Sequence, residues 1–277
     1  MRRLTIIAVP LLFGSPATAL ELNGPFIQGA LILGKTEPGA SVLLDGNPIA
    51  ALPNGRFVFG LSRNAGPKAL VTARLRDGRV KARTIKIQKR KYRIQRITGL
   101  PKRKVTPQKR DYKRINRERD LLNKTREQLT LSAEFLDGFI WPAHGRISGV
   151  YGSQRILNGK PRAPHLGVDV AAPTGTPVVA AASGTVTLTH KGMFFTGKTI
   201  QIDHGLGVGT IYIHLNKILV KQGDYVRKGQ LIGRIGKTGR ATGPHLHWGL
   251  SWKKMRLDPA LLVGQMPKPK TPVKRRN

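Results

Sequence analysis

Two short clusters of histidine and aspartate constrain the fold most, because they lie far apart in the chain and carry side chains that bind metal ions. The first is His165-Leu-Gly-Val-Asp169 and the second is His245-Leu-His247. Zinc favours imidazole nitrogen and carboxylate oxygen, and a catalytic zinc site takes three protein ligands and leaves a position for water. His165, Asp169 and one histidine of the second cluster would supply that set. A fold that uses them must bring both clusters into one cleft.

The spacing of the histidines predicts their local structure. Residues two apart on a strand project to the same face, so His245 and His247 can point together into a cleft. One of them would then bind metal while the other handles protons. His214 lies in Thr210-Ile-Tyr-Ile-His-Leu215, an alternating run that is typical of a strand. It is a candidate for a second proton-handling group.

The first cluster is predicted to be extended or a loop. His165 and Asp169 are four residues apart, a spacing that also suits a helical turn. Gly167 inside the cluster and Pro164 and Pro173 beside it argue against a helix.

The sequence around both clusters contains further short motifs. They are Trp141-Pro142, Gly145–Gly152, His165–Pro173, Gly175–Ala180, Gly184–Val186, Ile202–Gly205, Tyr212–Leu215, Gly223–Gln230, Ile232-Gly233 and Thr238–Trp248. Together these motifs resemble the lysostaphin-type (LytM-like) zinc endopeptidases of bacterial cell walls, and they come in the order of that family. The resemblance covers about residues 140–262.

The resemblance implies a role for each candidate residue. The zinc ligands would be His165, Asp169 and His247, and the catalytic histidines would be His214 and His245, with the division of labour between these two left open. The implied reaction is hydrolysis of peptide cross-links or stem peptides of peptidoglycan. The alternative is a non-catalytic wall-binding protein that activates another wall hydrolase, although such relatives typically lack some of these positions.

The resemblance and the frequent glycine turns also predict the fold. We expect a mainly β protein whose C-terminal peptidase domain, residues 139–265, is an antiparallel β barrel-sandwich hybrid. Residues 22–88 are predicted to form a small β-sandwich, with Asp77-Gly78 as the two-residue turn of a hairpin. Whether this first domain binds, spaces or covers the active site stays open. The chain has no cysteine, so disulfides and thiolate ligands are excluded.

The first 19 residues are predicted to be a signal peptide. Met1–Phe13 has a basic start and a short apolar stretch, and Ala17-Thr-Ala19 suits a signal peptidase site. The apolar run is too short to span a bilayer, which takes about 20 residues. We therefore expect an exported protein, in the periplasm.

Residues 89–138 are predicted to be a basic linker that contains a helix. Between Arg74 and Arg119 there are 20 lysines and arginines against three acids. From about Gln108 to Asp137 the apolar spacing becomes helical, with a thin stripe at Tyr112, Ile115, Leu122 and Leu129 that predicts packing on one neighbour. Residues 266–277 form a basic, proline-containing tail that we expect to be disordered.

The net charge of the chain indicates which partners it can bind. A formal charge of +35 favours binding to polyanions, and nucleic acid is the usual partner of a basic protein. No nucleic acid is expected here, because the sequence contains no nucleic-acid-binding motif and the protein is predicted to be exported. We expect peptidoglycan as substrate, with anionic envelope polymers or lipid head groups held by the basic linker and tail.

Overall fold

The computed structural model describes residues 20–267. The predicted signal peptide, residues 1–19, lies outside the described residues, as does the predicted tail from residue 268 onwards. The prediction of a mainly β protein is confirmed. In the part of the chain that the structure describes, no helix has the length and apolar character needed to cross a membrane.

The N-terminal region folds as two facing sheets. Its strands are β1 (Glu21–Asn23), β2 (Leu31–Lys35), β3 (Ser41–Leu44), β4 (Asn47–Ile49), β5 (Arg56–Gly60), β6 (Lys68–Arg74) and β7 (Val80–Lys86). One sheet has the order β1-β2-β5 and the other β4-β3-β6-β7. Ile32 and Phe59 of the first sheet share a core with Val42 and Val71 of the second. Alternating burial along β6 shows that one face is packed while the other is solvated.

The hairpin at Asp77-Gly78 has a longer loop than the predicted two-residue turn. The last paired residues are Leu75 and Arg79, whose backbone hydrogen bond is 2.9 Å long, so three residues form the loop. Asp77 Oδ1 accepts a hydrogen bond from the Arg79 amide at 3.0 Å, and Gly78 has a left-handed φ of 85°. These features stabilise a three-residue loop that ends in a left-handed glycine.

The basic segment contains β8 (Ile94–Ile97), α1 (Lys102–Val105) and α2 (Tyr112–Arg126), with 3₁₀ turns at Lys109–Asp111 and Glu134–Asp137. Helix α2 is therefore shorter than the predicted range of residues 108–137. The predicted stripe is also wrong in part, because Tyr112 and Leu129 are exposed. The packed face instead includes the buried carboxylate of Glu118, which accepts a hydrogen bond from the Phe194 amide at 2.7 Å. Polar contacts set this packing, which apolar periodicity could not predict.

The C-terminal region is built on one large sheet. Its elements are β9 (Arg146–Gly149), β10 (Gln154–Leu157), β11 (Lys160–Arg162), β12 (Val168–Ala171), β13 (Pro177–Val179), β14 (Gly184–Met193), β15 (Gly197–Asp203), β16 (Val208–Ile218), β17 (Tyr225–Val226), β18 (Leu231–Ile235), β19 (His245–Trp252), β20 (Met255–Leu257) and α3 (Ala260–Val263). The ten-stranded sheet has the order β17-β14-β15-β16-β19-β12-β9, with β18 and β20 attached to β16 and β19, and β13 to β18. This order has two ends, so the sheet is open and does not form a closed barrel.

The basic segment is attached to the C-terminal region through a separate small sheet. Strand β8 pairs in parallel with β10, and β10 pairs antiparallel with β11. Leu100 and Val105 pack with Leu157 in a small apolar cluster beneath it. The segment predicted as a linker therefore lies along one side of the C-terminal region.

Strand β19 lies at the centre of the molecule and has two different faces. Leu246 and Trp248 face the core of the C-terminal region, while Leu250 and Trp252 belong to a core shared with the N-terminal sandwich. The alternate residues, which begin with His245 and His247, point to the opposite face. The strand therefore joins the two halves of the protein with one face and presents histidines on the other.

Candidate metal centre

The pairing of two strands brings the predicted metal ligands together. Strands β12 and β19 are antiparallel neighbours in which Asp169 lies directly opposite His247. His165 lies in the loop before β12, which agrees with the prediction of a loop or extended segment for this cluster. The loop is fixed by the His165 amide, which donates to Ser153 O at 2.8 Å.

Three donor atoms converge on one point. His165 Nε2 lies 3.0 Å from Asp169 Oδ1 and 2.8 Å from His247 Nδ1, and the last two atoms are also 2.8 Å apart. All three residues are buried, with 2%, 6% and 8% exposure respectively. Ligands at tetrahedral angles around zinc would be about 3.3 Å apart, so the three atoms need to move by only a few tenths of an ångström.

The hydrogen-bond pattern of the three predicted ligands is compatible with a bound cation. His165 Nδ1 lies 3.1 Å from Val150 O, and since a carbonyl oxygen only accepts, Nδ1 carries a proton, which leaves Nε2 as the lone-pair nitrogen of the neutral ring. That lone pair faces a carboxylate oxygen of Asp169, which is also an acceptor. Two acceptors at 3.0 Å repel each other unless a proton or a metal ion lies between them. The residues therefore fit a zinc ion, and the outer hydrogen bond fixes the orientation of the His165 ring.

Two glycines leave the space that the ligands occupy. A Cβ on Gly167 would lie 2.6 Å from His247 Nε2, and one on Gly149 would lie 2.4 Å from Asp169 Oδ2. Both distances are shorter than real Cβ contacts. The glycines therefore allow the backbone to pass close to the ligands and set their positions.

Burial and neighbouring charge determine the protonation of the ligands. Burial alone would raise the pKa of Asp169, but His165 and His247 bring that pKa well below its usual range, through the positive charge of their protonated forms and through their hydrogen bonds. Burial lowers the pKa of His247 to about 4, against the opposing effect of Asp169. At neutral pH the carboxylate is ionised and the His247 imidazole is neutral, which are the forms that bind metal.

His214 and His245 lie on one side of the three ligands, with ring centroids 4.7 Å apart. His214 has a left-handed φ of 65° at the irregularity where β16 pairs with β15, a rare conformation for a residue with a side chain. Its Nδ1 donates to Thr238 O at 2.7 Å, and His245 Nδ1 donates to Gly243 O at 2.9 Å. In the neutral form of each ring, Nε2 is then the nitrogen without a proton. Burial, followed by the charges of His245 and His247, holds the pKa of His214 well below its usual range.

The structure adds Arg155, which sequence analysis did not single out. Its Nη2 lies 2.6 Å from Asp169 Oδ2, so the two oxygens of this carboxylate are divided between the arginine and the metal-binding point. No sequence signal distinguished it, because the chain has 49 lysines and arginines. Among the described residues, His165, Asp169 and His247 are the one group that could hold a metal ion. His144, His190 and His204 lie outside that group.

Comparison with known proteins gives the family. Residues 163–259 match the family model of peptidase family M23. Peptidoglycan DD-endopeptidase ShyA of Vibrio cholerae is 46% identical over 106 residues, which are 38% of this chain and 24% of that protein. DD-carboxypeptidase/endopeptidase Mpg of Neisseria meningitidis is 49% identical over 85 residues, 30% of this chain and 19% of that protein. The chain thus spans a quarter or less of these relatives.

A solved structure matches over most of both chains. It is described as an M23 peptidase of Pseudomonas aeruginosa, has 30% identity and a TM-score of 0.63, and the match covers 88% of this chain and 96% of that one. The resemblance seen in the motifs is confirmed, and the matched region contains all five predicted site residues. The chain belongs to the zinc metallopeptidases of family M23, the LytM and lysostaphin type.

Proposed function

We propose that this protein is an exported, zinc-dependent endopeptidase that hydrolyses peptide cross-links or stem peptides of peptidoglycan during remodelling of the cell wall. The observation that carries the proposal is the convergence of His165 Nε2, Asp169 Oδ1 and His247 Nδ1 within 3.0 Å of one another, with two further histidines beside them. The relatives named as peptidoglycan DD-endopeptidases support the choice of substrate.

The residues around the ligands suit the chemistry of peptide hydrolysis. When bound, zinc polarises the carbonyl of the substrate and lowers the pKa of water towards about 7. A carbonyl oxygen accepts from Nδ1 of both His214 and His245, so Nε2 is the nitrogen of each neutral ring that can take up a proton. One can accept the proton of the attacking water, and the other, once protonated, can donate to the oxygen or nitrogen that gains charge. The contacts of the two histidines are alike, so either one can accept the proton while the other donates.

Digestion of isolated sacculi tests the proposal. The mature protein should release soluble muropeptides, and a chelator should stop the release; mass analysis of the products identifies the bond. His214→Ala should lose release by at least about a hundredfold while it retains one zinc per chain, since a general base typically contributes 10²- to 10⁴-fold. His144→Ala is the matched control, because His144 is exposed and lies outside the ligand set.

A protein that only activates another wall hydrolase would give a different result. It would bind sacculi without releasing muropeptides, and it would contain no zinc. Either finding with a folded preparation would overturn the enzymatic proposal.

Export to the periplasm is part of the proposal because peptidoglycan lies outside the cytoplasmic membrane. We expect the mature protein to begin at Leu20, after the predicted Ala17-Thr-Ala19 site. N-terminal sequencing of the protein from fractionated cells checks this. An intact Met1 in the cytoplasmic fraction would contradict it.

We further propose that the basic linker and tail hold the enzyme on anionic envelope polymers or lipid head groups. The formal charge of +35 supports such attraction. Sedimentation with anionic vesicles should fall between low and high salt, because salt screens exposed charges. Removal of residues 268–277 should weaken sedimentation at low salt. Salt-independent sedimentation would contradict the proposal.

A further inference from the structure

Two clefts border the metal-binding point, and both are lined by arginines. One has a volume of about 290 Å³ and is lined in part by Arg146, Arg155 and Arg240. The other, of about 270 Å³, is lined in part by Arg155, Arg162 and Arg240. Asp169 is the one acidic residue that lines either cleft among the described residues, and it faces the metal-binding point. The surroundings of the site are therefore strongly cationic.

Arg155 and Arg240 line both clefts but differ in their partners. Arg155 is bound through Nη2 to Asp169 Oδ2, while its buried Nε has no partner. It therefore acts as a positioning residue for a metal ligand. The Arg240 guanidinium forms no ion pair within residues 20–267; its hydrogen bond is a long contact of 3.5 Å from Nη1 to Lys104 O. Of these two arginines, Arg240 is therefore the one whose guanidinium donors are available to a ligand.

Arg240 is held firmly in place despite its lack of an anionic partner. Its backbone amide donates to Phe195 O at 2.8 Å, and its guanidinium lies 4.4 Å from the centre of the Phe195 ring. Burial, reinforced by the charges of Arg155 and Arg162, lowers the pKa of Arg240 to about 10, so it remains charged at neutral pH. A partly buried cation beside two like charges is unfavourable unless an anion joins it. The stacking on Phe195 keeps the guanidinium ready for one.

We propose that Arg240 forms a subsite for a carboxylate of the substrate peptide, next to the bond that is cleaved, with Arg155 adding positive charge. This inference rests on the proposed function. A guanidinium presents two parallel N–H donors that match a carboxylate, and such charge-assisted pairs are about twice as strong as neutral hydrogen bonds. The substrate class is therefore a peptide with a free carboxylate beside the scissile bond, and a carboxamide at that position is disfavoured.

The test uses cross-linked muropeptide dimers in two forms, one with free carboxylates and one with the carboxylates converted to carboxamides. Wild-type full-length protein should prefer the free form by at least about tenfold in kcat/KM. Arg240→Ala should reduce this preference to within about twofold, mostly by slowing cleavage of the free form. Arg240→Lys keeps the charge but loses the paired donors, so an intermediate preference is expected.

Arg227→Ala is the matched control, because it removes the same charge from an exposed position outside both clefts. It should keep the wild-type preference, which separates a local subsite from general attraction to a basic protein. The preference within each protein is a ratio, so a variant with a reduced folded fraction still reports it.

Binding gives a second measurement that does not depend on cleavage. Calorimetry with chelator-treated full-length protein should show tighter binding of the free form, and Arg240→Ala should abolish the difference. If Arg240→Ala weakens both substrates equally and the preference persists, the subsite is overturned while the endopeptidase proposal stands. If the wild-type protein cleaves neither form, the endopeptidase proposal fails, and equal binding of the two forms would then overturn the subsite as well.

Discussion

The two faces of β19 are both buried, yet they contribute very unequally to stability. On one face Leu246 and Trp248, and then Leu250 and Trp252, enter two successive cores. Burial of these apolar side chains stabilises the fold and joins the N-terminal sandwich to the C-terminal region. On the other face His247 is packed against the Asp169 carboxylate. Pairing offsets the cost of burying these polar groups and leaves at most a small net gain, so this face contributes less stability than the first and depends on it for support.

The largest expected effect comes from breaking the apolar face. Leu250 is 1% exposed, and Leu250→Ala should lower the free energy of unfolding by about 2–5 kcal/mol, because it removes buried surface and leaves a cavity. Urea unfolding of the chelator-treated protein measures the change. Zinc affinity of the protein that remains folded should stay within about twofold of wild type, since the side chain points away from the ligands.

The matched control for that experiment is Leu70→Ala, the same substitution at a residue of the sandwich that is 42% exposed. Its effect should stay near 0.5 kcal/mol. A large loss of zinc affinity in Leu250→Ala, without loss of stability, would show that the two faces are not separable.

A pH titration measures the cost of burying a histidine that is not one of the predicted metal ligands. His204 is fully buried, with Nδ1 donating to Ser183 O at 2.6 Å and Nε2 2.8 Å from Thr210 Oγ1. Burial lowers the pKa of His204 from 6.5 to about 4. Between these values the unfolded chain binds a proton that the folded protein does not, so stability is highest above pH 6.5 and falls as the pH drops to 4. The loss is about 3 kcal/mol.

Urea unfolding in chelator at pH 7.5, 5.5 and 4.5 measures this loss. His204→Gln removes the titrating group. Between pH 7.5 and 4.5 the free energy of unfolding of this variant should therefore fall by about 3 kcal/mol less than that of the wild type. Parallel pH profiles for the variant and the wild type would contradict the assignment of the loss to His204.

The third expected effect is on the histidine face. A Cβ at position 167 would lie 2.6 Å from both His247 Nε2 and Trp248 O, so Gly167→Ala should displace the ligand ring. We expect zinc affinity to fall about 10- to 100-fold, the usual effect of disturbing the support of a metal ligand. Competition with a chromophoric chelator measures it. Gly243→Ala is the control, because a Cβ there meets nothing within 4 Å, and an equal loss in both variants would contradict the steric explanation.

The histidine face was predictable from the sequence because its signal is local. Alternation along a strand places His245 and His247 on one face, and the motif order placed His165 and Asp169 beside them. The pairing of Asp169 with His247 in the structure agrees with that expectation. The mainly β fold could be predicted for the same reason, since alternating runs and glycine turns are short-range patterns.

The features that sequence analysis missed depend on contacts between distant residues. Arg155 reaches Asp169 from β10, a strand of the separate small sheet, and nothing local marks it among many basic residues. The pairing of β8 with β10 joins segments separated by about 60 residues. Helix α2 packs through Glu118, whose burial depends on the Phe194 amide. In each case a polar partner elsewhere in the fold determines the position, and periodicity carries no information about such partners.

The smallest expected effect lies on the histidine face beyond the metal centre. Ser251 is 5% exposed, and its Oγ donates to Gly209 O at 3.4 Å, near the limit of a hydrogen bond. Ser251→Ala removes this weak contact without creating a large cavity, so we expect a loss of about 0.5–1 kcal/mol in urea unfolding and unchanged zinc affinity. A loss as large as that of the adjacent Leu250→Ala would mean that both faces of β19 stabilise the fold equally. A loss below about 1 kcal/mol would instead localise the stabilising contribution of the strand to its apolar face.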